Sequence, residues 1–492
     1  TSIDVVRHAL DVLGPFDALV LLQPTSPLLI ADDVRAALRV FQQTGDPVAS
    51  VTAADHPVEW HRWMDADGRL TPVLDRSGDS QRQLARVAFR PNGAVYVLSP
   101  EHVRGGGFWT ERTRGVAMPA ERSIDIDYAP DLVTAAAWLA AQPVAPLRIG
   151  ARVIDAGQPC YVIAEAGVNH NGDVALGRQL IDAAAESGAD AVKFQSLSAA
   201  KLVTATAAKA NYQLRTTDAT ESQLEMLQRL ELSEADHREL MAHASARGIE
   251  FLSTPFDEDS ADLLERLGVP AFKLGSGDLT NLPLIAHVAR KGRPLVLSSG
   301  MSTLREVDAA VATARAAGAR DLAVLQCVSN YPADPADTNL KAMRTMADAC
   351  AVTVGYSDHT VHPEVTLAAV ALGARIIEKH LTLDRTLPGP DHAASAEPEE
   401  LRALVSAIRR LESALGDGIK RPAVSERNTA QVARRSLTAS VDVPAGTTVR
   451  LEMIAVRRPG TGLPPSRLEE FVGKVTRAAI PAGALLSEDM FE

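Results

Sequence analysis

YVIAEAG (161–167) is the stretch that decides the fold. It is apolar at nearly every position until Glu165 near its end. A strand buried on both faces has this texture, because a parallel sheet is covered on both sides. Seven runs of the same kind follow: AVKFQS (191–196), EFLSTPF (250–256), AFKLGSG (271–277), PLVLSSG (294–300), LAVLQCVS (322–329), TVGYSD (353–358) and RIIEKHL (375–381). Most are followed by helical patterns, such as LGRQLIDAAAESG (176–188), SEADHRELMAHASARG (233–248), STLREVDAAVATARAAG (302–318) and VTLAAVALGA (365–374). Eight βα units in about 260 residues predict a TIM (β/α)8 barrel. A doubly wound open sheet is the alternative. Eight strands, and no GxGxxG after the first, favour the barrel.

Outward from this block the texture changes on both sides. Residues 1–147 mix short strand-like runs (ALVLLQP, VASVTA, GAVYVLS) with amphipathic stretches such as DDVRAALRVFQQTG, an incomplete α/β segment. The paired prolines of AAQPVAPL (140–147) read as a boundary. The barrel is expected over 148–425, and a small β-rich domain over 430–492. There RSLTASVDVPAGTTV, IAVRRPGTG and KVTRAAIPAGALL carry PAG twice, at 444–446 and 481–483, each before a short apolar run.

The 492 residues suit about three domains of roughly 150 residues each. With 50 basic and 62 acidic residues the net charge is −12, so a general nucleic-acid binder is excluded; such a protein needs a basic face. A small anionic substrate is not, since a few lysines in a cleft dominate locally. Three cysteines are too few for a disulfide framework and fit a reducing compartment. No apolar run reaches membrane-spanning length, and TSIDVVRHALDVLG lacks the order of a signal peptide. A cytoplasmic protein is expected. The chain opens on Thr rather than Met, so an upstream piece is also expected.

In a TIM barrel the reactive groups gather at the C-terminal ends of the strands. The expected strand ends carry, in order, Glu165 with Asn169 and His170; Lys193 and Gln195; Ser253 and Thr254; Lys273, Ser276 and Asp278; Ser298 and Ser299; Ser329, Asn330 and Tyr331; Ser357, Asp358 and His359; and Glu378 and His380, with Asp391 in the next loop. Two lysines within a ring of hydroxyls and glycine amides suit a small phosphate or carboxylate. Buried lysines without an anion would be costly, which implies an anionic ligand. His359 and His380 end consecutive strands and could form an open site for Mn²⁺ or a similar ion. Glu165, Glu378, Asp278 and Asp391 can act as acid, base or hydroxyl anchor. Each residue alone has a plainer reading, an ion pair or a capping histidine. Their joint landing at one mouth favours a site.

AEAGVNHNG, VKFQ, FLSTPFD, FKLGSGD, LSSGM, CVSNYP, GYSDHT, EKH and PGPDH, in this order, resemble the sialic acid (N-acetylneuraminate) synthases over essentially all of 148–425. The remainder is similar to the antifreeze-like (SAF) domain that follows the barrel in that family. The resemblance implies condensation of phosphoenolpyruvate with N-acetylmannosamine, or its 6-phosphate, and release of phosphate. It implies that Lys193, Lys273, Ser276, Thr254, Ser298, Ser329 and Ser357 hold phosphoenolpyruvate, and that His359 and His380 bind Mn²⁺ or Mg²⁺. Glu165 would lie by the reacting centre and Glu378 would orient the attacking water. Gln195, Asp278, Tyr331 and Asp391 would contact the open-chain sugar. Arg458, in RRPGTG, would reach the sugar's N-acyl group in a neighbouring subunit, which implies a domain-swapped homodimer. Asp278 stands where some bacterial members have Glu and animal 9-phosphate-forming members have Asp. Synthesis of legionaminic or pseudaminic acid is the same-class alternative, and a non-catalytic sugar-binding scaffold the alternative of another class.

LLQPTSPLL, FRPNGAVYVLSP and DIDYAPDL in the first block resemble CMP-sialic acid cytidylyltransferases. Asp125 and Asp127 match that family's Mg²⁺ pair, and Gln23 its cytosine-side glutamine. The Arg/Gly/Lys-rich nucleotide loop is missing, so 1–147 is expected to be a truncated, inactive partner domain. A bifunctional chain is the alternative.

Overall fold

Successive side chains of a strand point to opposite faces, and that alternation sorts the eight runs into an apolar outside and a mixed inside. The computed structural model describes residues 2–13, 16–74, 86–105, 108–141, 146–210, 213–218 and 220–492. The strands are β1 (Tyr161–Gly167), β2 (Ala191–Ser196), β3 (Glu250–Pro255), β4 (Phe272–Leu274), β5 (Leu295–Ser298), β6 (Leu322–Cys327), β7 (Thr353–Asp358) and β8 (Ile376–His380). They form one sheet in the order 3-2-1-8-7-6-5-4, and all its ladders are parallel. The end strands β3 and β4 lie side by side, so the ring closes as a TIM barrel. The main helices are α1 (Val174–Glu186), α2 (Glu234–Arg247), α3 (Glu258–Leu267), α4 (Leu282–Ala289), α5 (Leu304–Ala316), α6 (Ala342–Cys350), α7 (Pro363–Ala371) and α8 (Pro398–Leu415). Asp173, Ser233, Asp257, Asn281 and Thr303 cap α1 to α5 with side-chain acceptors, satisfying amides the first turn leaves bare.

Outward residues such as Val162, Phe194, Phe251, Leu274 and Val324 join Leu180, Leu240, Leu264 and Ile285 of the helices in one core. Inward residues form a second. Ile163, Ala191, Leu252, Ala271, Val296, Leu325 and Ile376 fill the lower barrel. A hairpin, Leu147–Ile149 against Arg152–Ile154, closes that end by inserting Leu147, Ile149 and Ile154. Two residues further along each strand the inward positions turn polar: Glu165, Lys193, Thr254, Lys273, Ser298, Cys327 and Glu378. The mouth of the barrel thus continues its core, and its polar groups are inherited from strand alternation.

Between β2 and α2 the chain makes a longer excursion over the mouth, with short helices Ala199–Leu202, Gln213–Thr216 and Gln223–Gln228. The same unit of the chain, Thr1–Ala414, holds a second sheet in the order Leu19–Leu22, Phe89–Leu98, Val48–Ala53, Arg114–Ala117. Leu19–Leu22 and Val48–Ala53 both pair antiparallel with Phe89–Leu98, and the last pairing is parallel. Helix Ala31–Thr44 covers it, with Ala37 against Val48 and Val95. Residues 142–145 of the expected boundary segment lie outside the described residues.

Residues Leu415–Glu492 form a separate unit. Strands Ser436–Ala439 and Ile454–Arg457 pair antiparallel, around a core that includes Leu437, Val449, Phe471 and Phe491. The two PAG turns flank one bridge, where Val443 and Ile480 each donate to the other's carbonyl at 2.8 Å. Their glycines, Gly446 and Gly483, have φ of 74° and 81°, which L side chains avoid. Helix Arg427–Ala433 packs here too, since Gly460 N donates to Gln431 O at 2.7 Å. Among the described residues no helix is long and apolar enough to cross a membrane.

Gly355 occupies an inward position of β7 with no room for a side chain. A Cβ there would lie 2.3 Å from Ile376 O and 2.6 Å from Leu325 Cδ2. Gly355→Ala is expected to lower unfolding free energy by about 1–3 kcal/mol through overpacking. Urea denaturation measures this, and a loss below a few tenths would show that the barrel wall yields there.

Candidate functional site

The inward polar positions converge on a cavity of about 360 Å³ at the C-terminal mouth. Glu165, Lys193, Gln195, Thr254, Lys273, Ser276, Ser298, Ser329, Tyr331, Glu378, His380 and Asp391 all line it. Neighbouring strands bring their charges into contact. Lys193 Nζ stands 2.7 Å from Glu165 Oε2 and 3.6 Å from Glu378 Oε2, and Lys273 Nζ stands 3.4 Å from Glu378 Oε1. Lys193 also donates to Thr254 Oγ1 at 2.8 Å, and Gln195 Nε2 donates to Glu165 Oε1 at 3.2 Å. Both lysines are 3% exposed, so these contacts operate with little solvent screening.

Burial sets the electrostatics, and the pairings then divide the four groups. Burial would lower Lys193, but Glu165 and Glu378 reverse the sign and hold its ammonium above the usual lysine range. Lys273 has weaker company; burial holds it below that range. Burial lifts Glu165 to about 7 against the pull of Lys193. Glu378 lies between both lysines, which outweigh its burial and draw it to about 2. One carboxyl is therefore poised near neutrality and the other is a permanent anion. Burial also raises Asp391, to about 6.

Near Lys273 a cluster of hydroxyls is built around Gly300. A Cβ at Gly300 would lie 2.3 Å from Ser329 Oγ, 2.8 Å from Ser276 Oγ and 3.0 Å from Cys327 Sγ. Gly300 N donates to Ser276 Oγ at 3.1 Å, and Ser276 Oγ is 3.0 Å from Cys327 Sγ. Ser298 Oγ is buried there without a hydrogen-bond partner. Two lysines and three serines are groups that suit a small anion.

His359 and His380 face each other with ring centroids 5.4 Å apart. Val328 O lies 2.6 Å from His359 Nδ1. A carbonyl only accepts, so Nδ1 carries the proton and Nε2 keeps its lone pair. His380 Nδ1 is buried with no hydrogen-bond partner, 3.9 Å from Asp391 Oδ2. Burial lowers both histidines, and His359 adds to the effect on His380, which favours neutral imidazoles. Two lone pairs beside a cavity fit an open divalent site. Among the described residues no group of three or more His, Cys, Asp or Glu could hold a metal by itself, so further ligands would be water or substrate oxygen.

Four expected residues stand elsewhere. Ser357 does not line the cavity; it donates to Glu378 Oε1 at 2.9 Å. His359 is behind Tyr331, at 4.2 Å between ring centroids. Asp278 does not line the cavity; its carboxylate accepts from Asn281 Nδ2 at 3.2 Å. Arg458 is exposed, in the second unit. Of the other polar strand ends, Ser253 turns outward to Ser196 Oγ at 2.7 Å, Ser299 donates to Leu325 O, and Asp358 holds Lys379 at 2.8 Å outside the ring. In the first sheet Gln23 and Asp125 converge on Gly93, whose added Cβ would meet Gln23 Oε1 at 2.5 Å and Asp125 Oδ2 at 3.3 Å.

Sequence reasoning missed Gly300 and the role of Cys327, which reads as a small buried apolar residue. It also missed the excursion after β2, which supplies Leu202, Val203, Met226, Leu227 and Leu230 to the cavity. Its signal was the length between AVKFQS and the next strong helical pattern.

Residues 180–420 match the NeuB family and residues 434–492 match the SAF domain. The chain is 46% identical over 329 residues to N,N'-diacetyllegionaminic acid synthase of Campylobacter jejuni, covering 66% of this chain and 98% of that protein. It is 35% identical over 346 residues to N-acetylneuraminate-9-phosphate synthase of Mus musculus, covering 69% and 95%. The crystal structure of N-acetylneuraminic acid synthetase from Leptospira borgpetersenii in complex with citrate superposes with a TM-score of 0.51 at 35% identity, covering 58% of this chain and 94% of that one.

Inorganic phosphate should raise the melting temperature of the intact protein, because it binds only the folded state. Gly300→Ala should abolish that shift by occupying the space the hydroxyls enclose. An undiminished shift in the folded variant would place anion binding elsewhere.

Proposed function

The chain belongs to the NeuB family, and from that premise we propose that it condenses phosphoenolpyruvate with an open-chain N-acyl amino sugar, forming a nonulosonic acid and releasing phosphate. One observation carries the reading: two buried lysines and three serines share one cavity with His380, whose ring lies 5.4 Å from that of His359 behind it. The sequence reading put N-acetylneuraminate first and legionaminic or pseudaminic acid as its alternative. The greater identity to a diacetyllegionaminic acid synthase supports the alternative.

In the proposed reaction C3 of phosphoenolpyruvate attacks the sugar aldehyde, water adds to the electron-poor C2, and phosphate departs by C–O cleavage. Lys273 and Lys193 bind the substrate's negative charge and stabilise the departing phosphate. Ser276, Ser298 and Ser329 orient it, with Thr254 beside Lys193. Glu165, poised near neutrality, can hold or move a proton at the reacting centre. Glu378 stays anionic and orients the water. Gln195, Tyr331, Asp391 and, through its loop, Asp278 serve the sugar. A divalent ion, Mn²⁺ or Mg²⁺, held by His359 and His380 would polarise the aldehyde as a Lewis acid.

A homodimer in which Arg458 of one copy serves the other's cavity follows from the likeness of RRPGTG to its family motif. We place the protein in the cytoplasm, where its three buried free thiols stay reduced. Residues 1–147 are read as a cytidylyltransferase-like partner segment without transferase activity, so CTP plus the acid product should yield no CMP-sugar.

The test is phosphate release from phosphoenolpyruvate with a panel of N-acyl hexosamines, with and without EDTA. Release with at least one sugar, abolished by EDTA and restored by Mn²⁺, is expected. His380→Ala should lower kcat/KM by at least about 100-fold. No phosphate from any sugar defeats the synthase reading, and EDTA resistance defeats the metal assignment.

A further inference from the structure

Asp391 lines the cavity from a loop and not from a strand, so strand register alone does not place it. The loop joins β8 to α8. A parallel bridge between Leu381 and Ala396 pins its base, where Ala396 N donates to His380 O at 2.8 Å and Thr382 N donates to Ala396 O at 3.0 Å. The Asp391 carboxylate stands 3.9 Å from His380 Nδ1, too far for a hydrogen bond. Its position is therefore set by the backbone beneath it.

The turn after β1 holds that backbone. Asn169, which is buried, donates from Nδ2 to Leu381 O at 2.9 Å and to Ser395 Oγ at 3.0 Å. Ser395 Oγ in turn donates to Asp391 O at 2.7 Å. Asn171 Nδ2 donates to Pro388 O at 2.9 Å, and His392 Nε2 donates to Asn171 Oδ1 at 3.3 Å. Carbonyl oxygens only accept, so the partners dictate how both amides are turned. Asp391 is thus gripped on both sides in sequence, at Pro388 before it and at His392 and Ser395 after it. Asn171 makes its bonds from a left-handed backbone with φ of 51°, which asparagine adopts more readily than most residues. The fit leaves no slack: a Cβ on Gly389 would lie 2.6 Å from His392 Cδ2 and 2.9 Å from Asn171 Oδ1. Neither asparagine lines the cavity.

Resting on the synthase reading above, we infer that Asn169 and Asn171 are positioning residues for the sugar half of the reaction: acting through the loop after β8, they hold the Asp391 carboxylate at the cavity wall. The phosphoenolpyruvate half does not depend on them. Its lysines and serines stand on β2 and on β4 to β6 with their following loops, and none of them is bonded to the turn after β1 or to the loop of Asp391 by the contacts above. A displacement of that loop by a fraction of an ångström would therefore misplace one carboxylate and leave the anion side as it is.

The experiment uses Asn171→Gly, which removes the side chain and leaves a residue at ease with positive φ. It is set beside Asp391→Ala and the double variant. Two quantities are read: kcat/KM for whichever N-acyl hexosamine of the panel the intact protein turns over fastest, with Mn²⁺ present, and the affinity for phosphoenolpyruvate by calorimetric titration without sugar. Asn171→Gly should lower kcat/KM for the sugar by at least about tenfold, with phosphoenolpyruvate affinity unchanged. A residue that acts through Asp391 adds nothing once Asp391 is gone, so the double variant should match Asp391→Ala within about twofold. Ser395→Ala, which cuts the relay from Asn169, gives the same reading should Asn171→Gly melt early. Losses that multiply in the double variant overturn the inference, as does a phosphoenolpyruvate affinity that falls in step with the sugar's kcat/KM, or an unchanged kcat/KM in the folded single variant. Phosphate from no sugar of the panel brings down the synthase reading and this inference with it, and the intact protein alone reveals that failure.

Discussion

Two lysine ammoniums sealed in the mouth of a barrel must be neutralised, and the pairing of Lys193 and Lys273 with Glu165 and Glu378 does it. The four groups come from β1, β2, β4 and β8, so the pairing exists only if the ring is closed in register. Glu378 reaches both lysines because β8 lies next to β1, and Glu165 reaches Lys193 because β1 lies next to β2. Fold and charge distribution therefore depend on each other. An arriving anion finds lysines already held in position, with two carboxylates beside them in different protonation states. Lys193 is the shared partner of both carboxylates, so its removal would leave buried charge uncompensated, whereas Lys273 contacts only Glu378, which Lys193 still reaches.

Much of this was legible in the sequence because strand alternation has a fixed period. Once YVIAEAG and its seven companions are taken as buried parallel strands, Glu165, Lys193, Lys273 and Glu378 must fall on the inward face beyond an apolar floor. The parts that were not legible depend on approach between distant segments. Gly300 reads as one glycine among many until Ser276 and Ser329 are seen closing on it from other strands. The hairpin 147–154 reads as the edge of a boundary, yet it plugs the barrel floor with Leu147, Ile149 and Ile154. Asp278 reads as a sugar ligand from the motif; in three dimensions the turn Ser276–Asp278 points it to Asn281.

Barrel and excursion divide the labour. The strands carry the charged groups of the cavity, and they sit on rigid elements where small displacements are resisted. The excursion after β2 adds aliphatic side chains to the wall of the same cavity.

The account's central claim is that the lysine–glutamate array is an anion seat and not merely a structural knot. Calorimetric titration of phosphoenolpyruvate into the intact protein and into Lys273→Met, beside their melting curves, tests it most directly. Lys273, which burial already disfavours as an ammonium, should be replaceable with little loss of melting temperature, while affinity falls by at least about tenfold. Unchanged affinity together with a collapsed melting temperature would contradict the claim.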